Sequence, residues 1–217
     1  MSDRRALVTG GTGRVGRAIA ARLEAEGFRV LAAGRADGDV SRPADAQALV
    51  ERAAAELGGL DLLVNAAAEG FEPTAVEEVD EPAWDAALGA TAKGSFFVTQ
   101  AAAAHLRQSK LGLVVMIEDV AAYQPWPSFA PHCAAKAAQA MLTRVFARAL
   151  APDVRVCGVA PGSVAVAPGQ EERRAGETLL GRVGSPEDVA AAVAYLVEAG
   201  FVTGTSLVVD GGRLLAR

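Results

Sequence analysis

The chain has 217 residues, enough for one α/β domain with a substantial buried core. Its formal net charge of −5 and its pI of about 5.2 argue against a nucleic-acid partner, because such proteins usually present a basic surface. No uninterrupted apolar run approaches the roughly 18 residues of a membrane span, so no membrane association is expected.

The N-terminal residues and the cysteines indicate the compartment. Met1–Arg5 lead directly into an apolar strand-like run, without the apolar core of a signal peptide. Cys133 and Cys157 lie in a predicted helix and a predicted strand, which fits buried thiols better than a disulfide framework. We therefore expect a cytoplasmic protein. Groups of Cys, His and acidic residues with metal-ligand spacing are missing from the sequence, so no metal is expected.

Short apolar runs of the kind found in buried strands alternate with helical stretches. These runs are Ala6–Val8, Arg29–Ala33, Leu60–Val64, Leu113–Ile117, Val154–Val159 and Ser206–Val209. Their alternation with helices favours a parallel sheet covered on both faces. Ser185-Pro186-Glu187-Asp188 adds a helix start, with a capping residue, a first-turn proline and acidic residues. The sequence thus predicts a single Rossmann-type, doubly wound α/β domain over residues 1–217.

The segment Thr9–Gly16 forms a glycine-rich turn between the first strand and the first helix. Glycines at its start allow tight turning and Gly16 allows close packing, so the helix can direct N–H groups at a pyrophosphate. A purely structural turn is the alternative. The position of this turn after the first strand of repeated strand–helix units favours dinucleotide binding.

The connection after the second predicted strand is too short for the usual architecture. Only Gly34–Gly38 separate that strand from Asp39 and Val40, whereas a full crossover requires about 10–12 residues or more. We predict that the helix that normally follows the second strand is missing and that the next strand is shortened or lost. This shortening opens the side of the pocket where adenine would lie.

Two arginines are candidate phosphate ligands. Arg14, inside the turn, can grip phosphate oxygens with two guanidinium nitrogens. Arg35 stands at the tip of the second strand, where an acid favours a free ribose 2′-hydroxyl and an arginine favours a 2′-phosphate. We therefore expect NADP(H) in preference to NAD(H). Two solvated surface arginines are the alternative.

Several segments, in order and spacing, resemble the short-chain dehydrogenase/reductase family over nearly the whole chain. They are Ala6–Gly16, Leu62-Leu63-Val64-Asn65-Ala66-Ala67, Asp119, Lys136, Pro161-Gly162 and Asp210-Gly211-Gly212. The resemblance implies a nicotinamide-dependent oxidoreductase with a small-molecule substrate. The implied cofactor residues are Gly10, Thr12, Gly13, Arg14, Val15, Gly16, Arg35, Asp39, Val40, Asn65, Ala66, Ala67, Lys136, Pro161 and Gly162. Helices around Trp84–Leu106 and Pro131–Leu150 resemble those that form the family's homodimers and homotetramers.

The family's catalytic serine, tyrosine and lysine correspond here to Asp119, His132 and Lys136. In the family the tyrosine donates the proton, while the lysine lowers its pKa and binds ribose. His132 and Lys136 are four residues apart and share one helix face. A lysine about 5 Å away opposes imidazolium by roughly 3 kcal/mol at an effective dielectric near 20, whereas a close Asp119 favours it. Catalysis by His132 needs the aspartate to prevail; a bridging water, or a protonated Asp119 as the acid, are alternatives.

Pteridine reductases resemble this chain in particular at Arg14, Phe71-Glu72-Pro73-Thr74, Asp119 and Asp210-Gly211-Gly212-Arg213. That resemblance implies that Phe71 stacks a flat heterocycle against the nicotinamide and that Asp119 helps to deliver protons. Tyr123 and Trp126 belong to a predicted substrate loop, 120–130. Tyr123 is either a replacement phenol or part of the aromatic pocket lining.

Two departures from the family pattern keep a second hypothesis open. Thr91 stands where the family has an asparagine that fixes a relay water, and Asn65-Ala66-Ala67-Ala68 replaces Asn-Asn-Ala-Gly. The first hypothesis is an NADP(H)-dependent reductase of a flat heterocycle or carbonyl. The second is a non-redox family member that binds a ligand or partner, or performs acid–base chemistry with His132. The charged run 170–174 is expected to be a solvated face.

Overall fold

A computed structural model describes residues 4–70, 72–164, 166 and 168–216. Its centre is a sheet of six parallel strands in the order β2-β1-β3-β4-β5-β6. The strands are β1 (Arg4–Thr9), β2 (Phe28–Ala33), β3 (Leu62–Asn65), β4 (Leu113–Ile117), β5 (Arg155–Pro161) and β6 (Ser206–Val209). Each of the six predicted runs overlaps one of these strands.

Helices cover both faces of the sheet, as the sequence predicted. On one face lie α1 (Arg14–Ala25) and α7 (Pro186–Glu198); on the other lie α2 (Pro43–Leu57), α4 (Gly94–Leu106) and α5 (Ala130–Leu150). Helix α3 (Glu81–Leu88) runs through a π-helical turn, Gly89–Lys93, into α4, and the short α6 (Glu171–Ala175) lies between β5 and α7. The predicted doubly wound α/β fold is confirmed.

The two faces have separate apolar cores, and this explains the unbroken apolar runs of the central strands. Every residue of β3 and β4 is buried, because a parallel sheet with helices on both sides leaves no strand face to water. Ile19 and Val193 belong to one core, and Leu49 and Phe146 to the other.

The helix start predicted at Ser185 is present. Its side chain accepts a hydrogen bond from the backbone N–H of Asp188 (3.4 Å), and its own N–H donates to Asp188 Oδ2 (2.8 Å). Two amide groups at the start of α7 are thereby satisfied.

The shortened connection after β2 is also confirmed. The chain forms one 3₁₀ turn, Arg35–Asp37, and reaches α2 at Pro43. Asp37 ties this connection down, since its carboxylate accepts from Gly34 N (2.9 Å) and from Arg52 Nη2 (2.8 Å). In the described part of the chain no strand pairs with the outer side of β2, which is therefore an edge strand.

The cysteines form no disulfide with each other. Cys133 and Cys157 are both free thiols. Within residues 4–70, 72–164, 166 and 168–216, no group of three or more His, Cys, Asp or Glu side chains could hold a metal ion. The helices of the same residues are too short or too polar to cross a membrane.

Candidate active site

A cleft lies at the carboxyl ends of β1, β2 and β3, where the strand order reverses direction. Open α/β sheets bind ligands at such switch points. The cleft has a volume of about 270 Å³. Its described lining is Thr9, Gly10, Thr12, Gly13, Ala33, Gly34, Arg35, Gly38, Asp39, Val40, Leu49, Ala66, Ala67, Ala68 and Ala90. Eight of the predicted cofactor residues are among them.

Glycines shape this cleft because side chains would fill it. A Cβ atom on Gly10, whose φ is +65°, would lie 2.5 Å from the carbonyl oxygen of Ala66. A Cβ atom on Gly16 would overlap the carbonyl oxygen of Gly10, so α1 packs directly on the turn. Helix α1 begins immediately after Gly13, a lining residue, so the turn that lines the cleft leads directly into the N-terminus of the helix. These features fit the pyrophosphate of a dinucleotide.

Arg35 lies at the predicted ribose end of the cleft, and it has a carboxylate partner. Its Nη2 donates to Glu69 Oε2 at 2.5 Å, and this hydrogen bond raises the pKa of Arg35. Glu69 follows the lining residue Ala68, so the ion pair connects the end of β2 to the loop after β3. Nothing in the sequence indicated this partner.

Arg14 lies away from that cleft. It lines a second, larger cavity, and its Nη1 donates to the carbonyl oxygen of Val166 (3.2 Å). This cavity has a volume of about 880 Å³. Its described lining is Arg14, Glu72, Pro73, Asp119, Pro125, Trp126, Pro127, Ser128, Phe129, Gly162, Ser163, Val164, Val166, Gln170, Arg173, Arg174 and Arg213. Phe71, the predicted stacking residue, is outside the described residues.

The predicted acid–base residues Asp119 and His132 are brought together. Asp119 caps a 3₁₀ turn after β4, where its Oδ1 accepts from Ala121 N (2.8 Å). Its Oδ2 lies 3.4 Å from Nε2 of His132, which is 5% exposed in the first turn of α5. The His132 ring lies parallel to the Trp126 indole, with an interplanar angle of 9° and 6.3 Å between centroids. The aspartate required beside the imidazole is therefore in place.

Lys136 is buried one helical turn after His132. Its Nζ donates to the carbonyl oxygen of Ile117 (2.8 Å) and to Gln139 Oε1 (3.1 Å). Burial lowers the pKa of Lys136 to about 8, although the nearby Asp119 and Glu118 carboxylates act in the opposite direction. The Lys136 amine therefore gains or loses its proton near pH 8, well below the ordinary range of a lysine.

Glu118 is a buried acid that the sequence reasoning missed. It is 2% exposed, and its carboxylate accepts from Thr143 Oγ1 (2.6 Å) and from the Tyr123 hydroxyl (3.0 Å). A Cβ atom on Gly158 would overlap this carboxylate, so the glycine makes room for it. Burial raises the pKa of Tyr123. The Tyr123 hydroxyl is thus bound to Glu118. Tyr123, predicted as a substrate residue, is not among the described residues that line the larger cavity.

Asn65 and four other predicted cofactor residues line neither cavity. Asn65 Nδ2 donates to Thr99 Oγ1 (3.0 Å), while the buried Asn65 Oδ1 has no hydrogen-bond partner among the described residues. Thr91 is buried in the π-helical turn before α4. Val15, Gly16, Asn65, Lys136 and Pro161 are absent from the described lining of both cavities.

The charged run expected to be a solvated face takes part in the larger cavity. Arg173 and Arg174 both line it, and the Arg174 side chain is only 25% exposed. Arg213, noted in the sequence only as part of the chain ending, lines the same wall. The position of an ionisable residue straight after a buried strand could have indicated Glu118, but no local pattern marks Arg213 or Glu69.

A family model described as "Enoyl-(Acyl carrier protein) reductase" matches residues 32–213. A protein of Streptomyces violaceoruber, described as ketoacyl reductase 2 of the granaticin polyketide synthase, is 37% identical to this chain. That comparison covers 97% of this chain and 96% of the other protein. The 3β-hydroxysteroid dehydrogenase 1 of Eggerthella lenta is 34% identical, over 96% of this chain and 93% of that protein.

Solved structures have the same architecture. The ligand-free aldohexose dehydrogenase of Thermoplasma acidophilum superposes with a TM-score of 0.91 at 26% identity. That comparison covers 99% of this chain and 95% of the other. A short-chain dehydrogenase/reductase from Brucella melitensis gives a TM-score of 0.89 at 27% identity, with 97% and 96% coverage.

The Lys136→Met substitution tests the buried amine. Between pH 8 and pH 10.5 the unfolded chain keeps a proton that the folded protein has lost, so folding stability rises with pH across that window. Relative to Lys136→Met, the wild-type protein should gain about 3 kcal/mol of unfolding free energy across it. Urea unfolding at several pH values measures this, with Lys93→Met, at an exposed lysine, as the control. Identical pH dependence in wild type and Lys136→Met would contradict the lowered pKa.

Proposed function

Because the chain belongs to the short-chain dehydrogenase/reductase family of oxidoreductases, we propose that it is an NADP(H)-dependent reductase similar to the pteridine reductases. Its substrate is a flat heterocycle or a carbonyl compound. The observation that carries this proposal is the convergence of Asp119, His132 and Lys136 at the end of β4 and the start of α5, where Asp119 lines the larger cavity. The names of two relatives, a ketoacyl reductase and a hydroxysteroid dehydrogenase, support reaction at a carbonyl or hydroxyl carbon.

The chain supplies groups for each part of such a cofactor. The turn at Gly10–Gly16 would hold the pyrophosphate, and Asp39 and Val40 would face adenine. Arg35 would bind a ribose 2′-phosphate, and Lys136 would bind the nicotinamide ribose, as the family resemblance implies. A bound nicotinamide cofactor would supply hydride to the substrate.

Asp119 and His132 would carry out the proton transfer to the substrate. The bond from Ala121 N fixes Asp119 Oδ1 and leaves Oδ2 facing the imidazole. In this position Asp119 would orient the His132 ring, and the imidazole would exchange a proton with a substrate oxygen or nitrogen. His132 is buried, so water competes little with Asp119 for the contact to the ring.

The larger cavity suits a flat substrate. Trp126 presents an indole parallel to the His132 ring, and Phe129 packs edge-on to that indole with 6.1 Å between ring centroids. Phe71 would add a second stacking surface, as the resemblance to pteridine reductases implies. Two aromatic rings in one wall of the cavity give a planar ligand a surface on which to stack.

A second candidate function follows from histidine in the tyrosine position. A buried Asp119–His132 pair can run acid–base chemistry without a redox step. The chain would then be a non-redox family member that binds a ligand or a partner, or an acid–base enzyme that uses His132.

We further propose a cytoplasmic homo-oligomer, a dimer or a tetramer. Free thiols at Cys133 and Cys157 fit a reducing compartment. Met141 and Val145 are 52% and 48% exposed, and they lie one turn apart on α5, the helix expected to form the contact. Apolar side chains on one helix face are what an interface would cover.

The His132→Tyr substitution discriminates the two functions. Restoring a phenol should raise NADPH-dependent reduction of pterins or model quinones by about 100-fold, which is the scale of general acid catalysis. His132→Phe, which has the ring without the hydroxyl, is the matched control, and thermal unfolding verifies that each variant is folded. If neither wild type nor His132→Tyr reduces any such acceptor, the reductase proposal fails.

The Glu69→Gln substitution tests how the chain selects NADP(H). Glu69 forms an ion pair with the Arg35 guanidinium, and its negative charge would repel a 2′-phosphate. Removing this charge should therefore lower the Kd of NADPH relative to that of NADH by about threefold to tenfold. Titration followed by nicotinamide fluorescence at low ionic strength measures both constants. Glu198→Gln is the control, because Glu198 pairs with Arg4 at the opposite end of β1. An unchanged ratio of the two Kd values would contradict the role of Arg35 as a phosphate ligand.

The double substitution Met141→Glu with Val145→Glu tests the oligomer. Charges on this face of α5 should dissociate the assembly, because burying an unpaired carboxylate at an interface is strongly unfavourable. Light scattering should show an oligomer for the wild type and a smaller species for the variant. A monomeric wild type at micromolar concentration would refute the proposal.

A further inference from the structure

The larger cavity has an unusual distribution of charge. Its described lining contains four arginines and two acids: Arg14, Arg173, Arg174, Arg213, Glu72 and Asp119. The protein as a whole has a net charge of −5, so this wall is opposite in sign to the rest of the molecule. Guanidinium groups gathered at a cavity wall are typical of sites for oxyanions.

Three of these arginines share one carboxylate, that of Glu177. Arg173 Nη1 lies 3.2 Å from Glu177 Oε1, and Arg174 Nη1 and Arg213 Nη2 lie 2.9 and 3.0 Å from Oε2. One negative charge cannot neutralise three positive charges. The cluster formed by Arg173, Arg174, Arg213 and Glu177, which we call the arginine cluster, therefore has an excess of positive charge beside the cavity.

Arg213 is held rigidly within the arginine cluster. Its side chain is 12% exposed, its Nη1 donates to Ser163 Oγ (2.8 Å), and its guanidinium lies 4.8 Å from the centre of the Trp126 ring. Burial and the neighbouring arginines lower the pKa of Arg213, although the carboxylates of Glu177 and Asp119 act in the opposite direction. Arginine stays protonated under these conditions, so the cost of that buried charge is best offset by an anion.

We propose that the substrate of this oxidoreductase has an oxyanion, a carboxylate or a phosphate, attached to a flat apolar group, and that the arginine cluster binds this oxyanion. The inference rests on the proposed function and deepens it by naming the substrate class. Trp126 connects the two ends of the site, since its indole faces both Arg213 and His132. The oxyanion then lies at the arginine cluster and the reacting atom at the Asp119–His132 pair.

The repulsive groups in the cavity agree with this orientation. Asp119 and Glu72 also line the cavity and would repel an anion beside them. An anionic substrate is therefore driven away from the acids and towards the arginine cluster, which fixes which end reacts.

The experiment measures binding without cofactor and without turnover. The chain has two tryptophans, Trp84 and Trp126, so Trp84→Phe leaves Trp126 as the only indole reporter. This protein is titrated with benzoate, with phenyl phosphate and with neutral benzamide, at low and at high ionic strength. We expect saturable changes in Trp126 fluorescence with the anions, weakened by salt, and much weaker binding of benzamide. The tighter of the two anions identifies carboxylate or phosphate as the preferred group.

Two further substitutions in the Trp84→Phe background shift the anion affinity in opposite directions. Arg213→Gln should weaken benzoate binding by about tenfold, because it removes a charge-assisted contact. Glu177→Gln removes the neutralising carboxylate and should tighten benzoate binding by about threefold, which loss of folding cannot mimic. Arg22→Gln, at an arginine that pairs with Glu26 in the last turn of α1, should leave binding unchanged.

A separate NADPH titration distinguishes this inference from the proposed function. If NADPH binds while benzoate and phenyl phosphate bind no better than benzamide, the proposed function stands and the oxyanion site is refuted. If Arg213→Gln weakens NADPH as much as benzoate, the arginine cluster belongs to the cofactor and the inference is overturned. If the anions bind and NADPH does not, the oxyanion site stands and the redox function fails.

Discussion

Close backbone contact between two loops at the carboxyl edge of the sheet determines the shape of the site. Gly10 passes so near to Ala66 that a side chain at residue 10 would collide with its carbonyl oxygen, and Gly16 packs equally closely on Gly10. The cleft floor, the direction of α1 and the end of β3 are fixed together by these contacts. A group placed at the end of one strand is thereby held in a defined position relative to groups on the next.

Behind the site lies a buried polar layer between α5 and the sheet. Lys136 bonds to Ile117 and Gln139, Gln139 Nε2 donates to Ser95 Oγ at 2.8 Å, and Glu118 bonds to Thr143. Buried polar groups of this kind are costly unless every member has a partner. The layer therefore sets the rotation and height of α5, and these in turn place His132 opposite Asp119.

The sequence was sufficient for the fold because the fold depends on local patterns. Apolar runs located the six strands, the Ser185 capping box located α7, and the short segment after β2 gave the missing crossover. The proximity of Asp119 and His132 followed from their places after β4 and at the start of α5. Contacts between distant loops could not be predicted in this way. The pairing of Arg35 with Glu69 and the burial of Glu118 against Tyr123 depend on how the loops settle on the finished sheet.

The missing strand also has a consequence for the behaviour of the protein at high concentration. With no described strand outside it, β2 presents unpaired backbone N–H and C=O groups along one side. Such edges are templates on which another chain can add a strand, which leads to aggregation. Strand β2 has six residues, as many as β1, and the Arg29 guanidinium is held by the carbonyl oxygens of Glu56 and Leu57. The charge of Arg29, the one charged side chain of this strand, is therefore its main protection against edge-to-edge stacking of copies.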